Sequence, residues 1–404
     1  MNSQASCYCP VAAEAETIRP YSFSVFKSVN EISSFLWDNH IPAGNMLMTH
    51  DYLKLIEETH GNTMAFRYVQ VKHNDTTVGT IYFQIVKFES AQLINYFPQG
   101  DSFFLNALRN VSSVLLNRIN LKMLVSGNVF MTGENGYYFS AAIDKATRAK
   151  LLRKAIRTVM DNDKAIKAVL ISDLYAPKTE FDEGFKPCGY NEITVESDMS
   201  IALKPKWATF DDYLNALTSK YRVRAKKVFA LCNENNVVCK ELNAEAVAAN
   251  EQRLYELYNK VMANADFKLA VLSKDYFRKQ KQQLPDNYRV FAYFKDGVML
   301  GFISAFVNGK KIEVHYTGMD HEICKPIHLY QHMMYDMIKL GIETRVARLH
   351  FGRTAPEIKS TIGAVPSPMY GYLKHRNPLF NFFVAKPYTA NLKPKQYTFR
   401  NPFK

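Results

Sequence analysis

The chain has 404 residues, 47% hydrophobic and 22% charged, with a formal net charge of +13. No run of about 18 apolar residues occurs, so no membrane-spanning helix is expected. The six cysteines form neither a disulfide framework nor a Cys-x-x-Cys zinc pair, and no metal is expected. The charge favours anionic partners such as nucleic acid, an acidic carrier, a phosphate-bearing cofactor or an anionic membrane surface.

Residues 1–19 read as a flexible leader. They lack a basic region followed by an apolar stretch, so no signal peptide is expected. The expected location is the cytoplasm, with peripheral contact at the inner membrane surface. Tyr21, Phe23 and Val25 alternate as in a strand, and Tyr52, Leu53 and Ile56 mark a helix that stops near Gly61. Two β-rich runs flank His73-Asn-Asp75 and predict a hairpin. A helix is expected at 103–116, a strand at 122–131, an amphipathic helix at 145–160 and a buried strand at 167–174. Pro205 and Trp207 mark a junction.

Residues 210–231 then predict one helix, and Leu254, Leu257, Tyr258 and Val261 repeat its spacing in another. A second hairpin is expected around Lys295-Asp-Gly297. A strand from Lys311, a helix from Pro326, a strand near His350 and a short helix complete a strand–helix–strand unit, whose two strands are expected to be parallel neighbours. The halves echo each other, with Gly79 and Gly301 at the same place in their hairpins. The fold class is therefore α/β with a mixed sheet, duplicated.

This order of elements is similar to that of the GNAT acyltransferase fold. Met46-Leu-Met-Thr-His-Asp-Tyr-Leu53, Phe210-Asp-Asp-Tyr-Leu-Asn-Ala-Leu217 with Lys220-Tyr-Arg-Val-Arg-Ala-Lys-Lys227, and Gly352-Arg-Thr-Ala-Pro-Glu-Ile-Lys359 ending in Gly363-Ala364 resemble segments of the FemAB-like, or BioF2-like, tandem acyltransferases. The resemblance covers roughly residues 20–375. It implies two tandem GNAT-like domains, at 20–204 and 205–376, the second being the active half, followed by a basic aromatic tail at 377–404.

Two departures bear on the donor. The GNAT loop that grips coenzyme A is replaced by Asp320-His-Glu-Ile-Cys-Lys-Pro326, which has no glycine and loses an amide donor at Pro326. Thr132-Gly-Glu-Asn-Gly136 in the first half is not that signature either. No sustained heptads occur at 205–285, so the long coiled-coil insertion of FemAB-like enzymes is missing. The expected activity is N-acyl transfer from a thioester, acyl-CoA or an acyl carrier protein, to an amine. No cofactor is expected to be tightly bound, since the donor is a co-substrate. One alternative is aminoacyl transfer from aminoacyl-tRNA, the donor the resemblance implies, to a cell-wall peptide precursor. Another is a degenerate, non-catalytic pair that acts as a binding module.

Glu313, His315 and Tyr316 lie on the central strand and are the candidate catalytic groups, since a base or water-holding hydroxyl there can take a proton from an attacking ammonium. Gly352, Arg353, Thr354 and Lys359 are the candidate donor-binding residues. Thr354 with Glu357 three residues on reads as a capping box, and a helix start beside an arginine suits a phosphate or carboxylate. Lys359 lies off the Ile358/Ile362 face, toward the cleft or toward water. Tyr330 is placed with the donor-binding group, while Met333, Met334 and Met337 read as core. His328 and His332 are expected along a polar face. Cys324 has no basic surroundings to activate it. Lys220, Arg222, Arg224, Lys226 and Lys227 make a dense basic helix suited to a tRNA backbone, an acidic carrier or an anionic membrane. Tyr372, Lys374, His375 and Arg376 extend that basic, aromatic character.

Overall fold

The computed structural model describes residues 20–89, 120–176, 179–264, 270–382 and 397–404. The expected leader and the helix expected at 103–116 lie outside the described residues. The described residues fall into two units, one of those within 20–42, 48–195 and 369–382, the other of those within 43–47, 196–368 and 397–404.

The first half contributes strands β1 (Tyr21–Phe26), β2 (Ala65–His73), β3 (Thr76–Glu89), β4 (Asn120–Ser126), β5 (Tyr137–Phe139) and β6 (Ile166–Tyr175), with helices α1 (His50–His60) and α2 (Lys145–Asn162). The chain leaves the first unit within β7 (Asn191–Ala202). The second half contributes α3 (Phe210–Ala216), α4 (Ser219–Glu234), β8 (Val238–Glu241), α5 (Glu251–Ala263), α6 (Tyr276–Gln283), β9 (Tyr288–Lys295), β10 (Val298–Asn308), β11 (Lys311–Met319), α7 (Leu329–Glu343), β12 (Arg348–His350), α8 (Pro356–Ser360) and β13 (Val365–His375).

In the first unit β1, β2, β3 and β4 pair antiparallel in sequence order, β6 joins β4 in parallel, and β13 closes on β6 from Met369 onward. In the second, β8, β9, β10 and β11 pair antiparallel, β12 joins β11 in parallel, and β7 closes on β12. Each sheet is thus closed by a strand from the other half of the sequence. The break falls between Val195 and Glu196 rather than at 204, and the last strand goes to the first unit.

The helix periods are read out as burial. Leu151, Leu152, Ala155, Ile156 and Val159 of α2 pack on Val69, Val71, Ile81 and Phe83. Met333, Met334, Met337 and Ile338 of α7 pack with Ile303, Ala305, Ile312 and Leu349. The hairpins echo each other closely. Asn74 and Asp75 at one tip, and Asp296 and Gly297 at the other, all have positive φ, the backbone that a two-residue turn needs to match strand twist. In both return strands the register slips by one residue just before the glycine, leaving Val78 and Leu300 as bulges ahead of Gly79 and Gly301.

Three expectations are corrected. The helix expected at 210–231 breaks at Leu217, whose backbone is extended, because Thr218 starts a new helix there. Residues 397–404 are not a free basic tail: Phe403 packs on Trp207 and Tyr213, and the Pro402 carbonyl accepts from the Thr218 N–H at 2.8 Å. Tyr372 is buried and donates to Asp182, Lys374 donates to the Cys188 carbonyl, and Arg376 donates to the Ile166 carbonyl. Those side chains serve the first unit's own packing.

Gly318 has a structural role that predicts a large effect. A Cβ there would lie 2.6 Å from the Tyr258 N and 2.7 Å from the Leu257 carbonyl carbon, so backbone of α5 would have to move. Gly318→Ala is expected to destabilise the second unit by about 3 kcal/mol, read as a lower urea midpoint at unchanged slope.

Candidate active site

The two parallel pairs differ. In the first unit β4 and β6 stay paired from Lys122–Ile166 to Ser126–Ile171. In the second, β11 and β12 pair only from Lys311–Arg348 to Glu313–His350. Past that point β11 runs on to Met319, while Phe351 and Gly352 stay with β7: the Phe351 N–H donates to the Met199 carbonyl (2.8 Å) and the Met199 N–H to the Gly352 carbonyl (3.1 Å). The strands part after Glu313 and His350, and Val314, His315, Tyr316 and Thr317 are all half-buried, between buried neighbours on both sides.

A bulge shapes the β11 wall. Ile303 faces Thr317 and Ala305 faces Val314, so Ser304 alone stands opposite His315 and Tyr316. The Ser304 hydroxyl accepts from the Tyr316 N–H (3.2 Å) and donates to the Tyr316 carbonyl (3.1 Å), filling the gap that the extra residue leaves in the ladder. The Tyr316 ring meets Tyr258 edge-on at 5.3 Å. His315 is enclosed by Tyr276, Tyr288, Phe306 and Tyr316, with its Nε2 3.3 Å from the Tyr276 hydroxyl. Glu313 is buried and pairs with Lys311 at 2.7 Å.

The β12 wall carries a polar cluster. Asp198 of β7 is fully buried. One of its carboxylate oxygens lies 2.6 Å from His350 Nδ1, and the other accepts the Gly352 N–H at 3.0 Å. Lys359, only 2% exposed, donates to the carbonyls of Phe351 (2.6 Å) and Gly352 (3.1 Å). Burial pushes its amine down to about 7, against the upward pull of Asp198 and Glu196. Gly352 has φ +72°, which lets the chain turn between these groups.

Gly352 and Lys359 are therefore brought together, and Arg353 and Thr354 follow in the same turn. The capping box is absent: α8 starts with Pro356 at its first position, which makes Ala355 the cap and leaves Thr354 one residue too early. The orientation of α8 decides between the two directions left open for Lys359. Ile358 is 38% exposed while Lys359 points inward, so the lysine does not reach into water. Tyr330 packs against the second unit's core, and burial raises its hydroxyl to about 12. His328 is an exposed cap residue, whereas His332 is buried beside Asp336 at 3.4 Å, so the two histidines share no polar face. Cys324 is buried, which lifts its thiol to about 11. On α4, Lys220, Arg224, Lys226 and Lys227 are exposed and Arg222 is half-buried against the Leu217 carbonyl.

Asp198 and His350 carried no expectation from the sequence. The available signal was alternation: Asp198 and Ser200 interleave with Met199, Ile201 and Leu203, which line the core.

A family model described as peptidoglycan biosynthesis/recognition, FemAB-like, matches residues 130–396, more than half of the chain. Among solved structures, the crystal structure of FemX is similar at 14% identity with a TM-score of 0.54, covering 89% of this chain and 99% of that one. A tandem GNAT protein from the clavulanic acid biosynthesis pathway is similar at 9% identity with a TM-score of 0.51, covering 89% and 99%. No curated protein matches. The fold is that of the tandem GNAT proteins, and the chain belongs to the FemAB-like family.

Proposed function

We propose that the protein transfers an aminoacyl or acyl group from an activated donor to an amine, at the opening between β11 and β12. The observation that carries this is the parting of the strands beside the Asp198–His350–Lys359 cluster. In its ammonium form Lys359 has three N–H groups, of which two are held by the Phe351 and Gly352 carbonyls. The third is aimed, in this reading, at the donor's carbonyl oxygen. The acceptor nitrogen attacks the carbonyl carbon, a C–N bond forms, and the electron pair moves to that oxygen, where the cation stabilises it. Collapse breaks the bond from the carbonyl carbon to the leaving oxygen or sulfur. His350, oriented by Asp198, takes the proton from the acceptor nitrogen and returns it to the leaving group. Glu313, His315 and Tyr316 form the opposite wall, where their role is to position the acceptor.

The donor is read as aminoacyl-tRNA, and the acceptor as an amine of a peptidoglycan-type peptide. Family membership favours this, as do Pro326 in the loop where coenzyme A is gripped and the exposed cations of α4. A thioester donor is the second reading. Replacing Lys220, Arg224 and Lys227 by Gln is expected to weaken tRNA binding and to reduce its salt slope by about 2. Unchanged tRNA binding, with transfer from acyl-CoA or an acyl carrier protein, would replace the first reading by the second.

A further inference from the structure

The first unit carries a cluster of cations that the proposed transfer chemistry does not use. Lys87 and Lys122 are direct cross-strand partners on β3 and β4. Arg67 lies on β2, two residues along from Ala65, the partner of Ile85, and faces the same side of the sheet. Lys27 follows β1, whose last pair is Phe26–Tyr68, and so stands beside Arg67. Lys27 with Arg67, and Lys87 with Lys122, thus form two cross-strand pairs at one end of the same sheet face; Arg67 stands opposite Phe83, four residues from Lys87, so the pairs lie about 13 Å apart along the strands.

None of the four has a carboxylate within ion-pair distance among the described residues. The Arg67 guanidinium donates to the Phe66 carbonyl (2.6 Å). Like charges directly across a sheet are destabilising, so the two pairs make this cluster unfavourable on its own. It lines a groove of about 240 Å³ with Gly61–Ala65 and Ile85, continued by a second of about 330 Å³ that reaches Val25 and Asn162. Among the described residues Asp163 is the one acidic side chain in either wall, and its carboxylate accepts the Ala165 N–H at 2.9 Å. The C-termini of α1 and α2 also end here, at Gly61 and Asp163, and their partial negative charges offset part of the repulsion. They amount to about one elementary charge against four cations.

We infer that this groove binds a small phosphoanhydride-bearing ligand, with Lys27, Arg67, Lys87 and Lys122 neutralising a diphosphate. The site is independent of the transfer reading, and its test does not involve transfer. The full chain is titrated with pyrophosphate, orthophosphate and ADP, with Tm and calorimetric binding as readouts. Pyrophosphate at about a hundredfold over its Kd should raise Tm by about 5 °C, and orthophosphate should bind more weakly. ADP binding tighter than pyrophosphate marks a nucleotide ligand, and equal binding marks the diphosphate alone; both support the site. A Lys87→Gln/Lys122→Gln variant should lose the shift while its ligand-free Tm holds or rises, since repulsion is relieved. Asp163→Asn should tighten pyrophosphate binding. The inference is overturned if neither pyrophosphate nor ADP shifts Tm, or if the double variant keeps the shift. A ligand-free double variant of lower Tm that shows no difference in binding assigns the cluster to the helix ends and also overturns it.

Discussion

Lys359→Met should fold and should lose about a hundred- to a thousandfold in transfer rate, the usual cost of removing a single donor to a developing oxyanion. Its stability should show a crossover with pH that a purely structural lysine on the surface would not. The folded-state amine sits near 7 instead of its ordinary 10.5. Between these values the unfolded chain binds more protons than the folded one, so the lysine's contribution to stability rises as pH rises from about 7 to 10.5 and is flat below 7. The penalty for a buried ammonium below that window is about 5 kcal/mol. Methionine removes it, but leaves the Phe351 and Gly352 carbonyls without their donor, at about 1–3 kcal/mol. At about pH 6 the first effect wins and the variant should be the more stable; at about pH 10 the second wins and the order should reverse. Urea unfolding of both proteins across this range checks it. A variant less stable at every pH would mean that the amine is held charged by its surroundings.

Asp198 is the second position of large effect. Its carboxylate holds His350 and the Gly352 N–H at once, so it fixes both the proton carrier and the turn beside the opening. Asp198→Asn keeps the shape and an oxygen acceptor but loses the charge that stabilises a protonated His350. Transfer should fall by about a hundredfold or more with stability nearly unchanged. Asp198→Ala removes the acceptor that His350 and the Gly352 N–H share and should cost about 3 kcal/mol as well. Steady-state rates with thermal unfolding separate the two variants. Equal rates for wild type and Asp198→Asn would remove His350 from the proposed proton path.

What the sequence made legible followed short-range chemistry. Asn74-Asp75 and Asp296-Gly297 announce the hairpin tips because few residues tolerate left-handed backbone, and the α2 and α7 stripes announce their buried faces because those helices run for several turns. The short elements misled. α8 has five residues, too few for a period to say which side is inward: Ile358 is exposed, and of the two directions open to Lys359 the inward one is taken. Pro356, by taking the first helical position, displaced the cap that Thr354 and Glu357 spell out. The Asp198–His350 pair joins residues 152 positions apart, and only the return of β7 beside β12 brings them together. The parting of β11 from β12 is likewise a matter of strand lengths and partners, which alternation alone does not encode. For Tyr372, Lys374 and Arg376, composition suggested a binding surface where packing uses each of them internally.

The central claim is that the second unit's opening performs acyl transfer to an amine, with Lys359 beside the reacting carbonyl. It is tested most directly by a single-turnover assay. Isotope-labelled aminoacyl-tRNA, acyl-CoA and acyl carrier protein donors are each mixed with a peptide bearing a free side-chain amine, and the product is read by mass spectrometry. Wild type should add one acyl or aminoacyl group to the peptide from one of these donors, and Lys359→Met should leave the peptide unmodified at the same time point. No transfer from any donor by the wild type, or equal transfer by wild type and Lys359→Met, would contradict it.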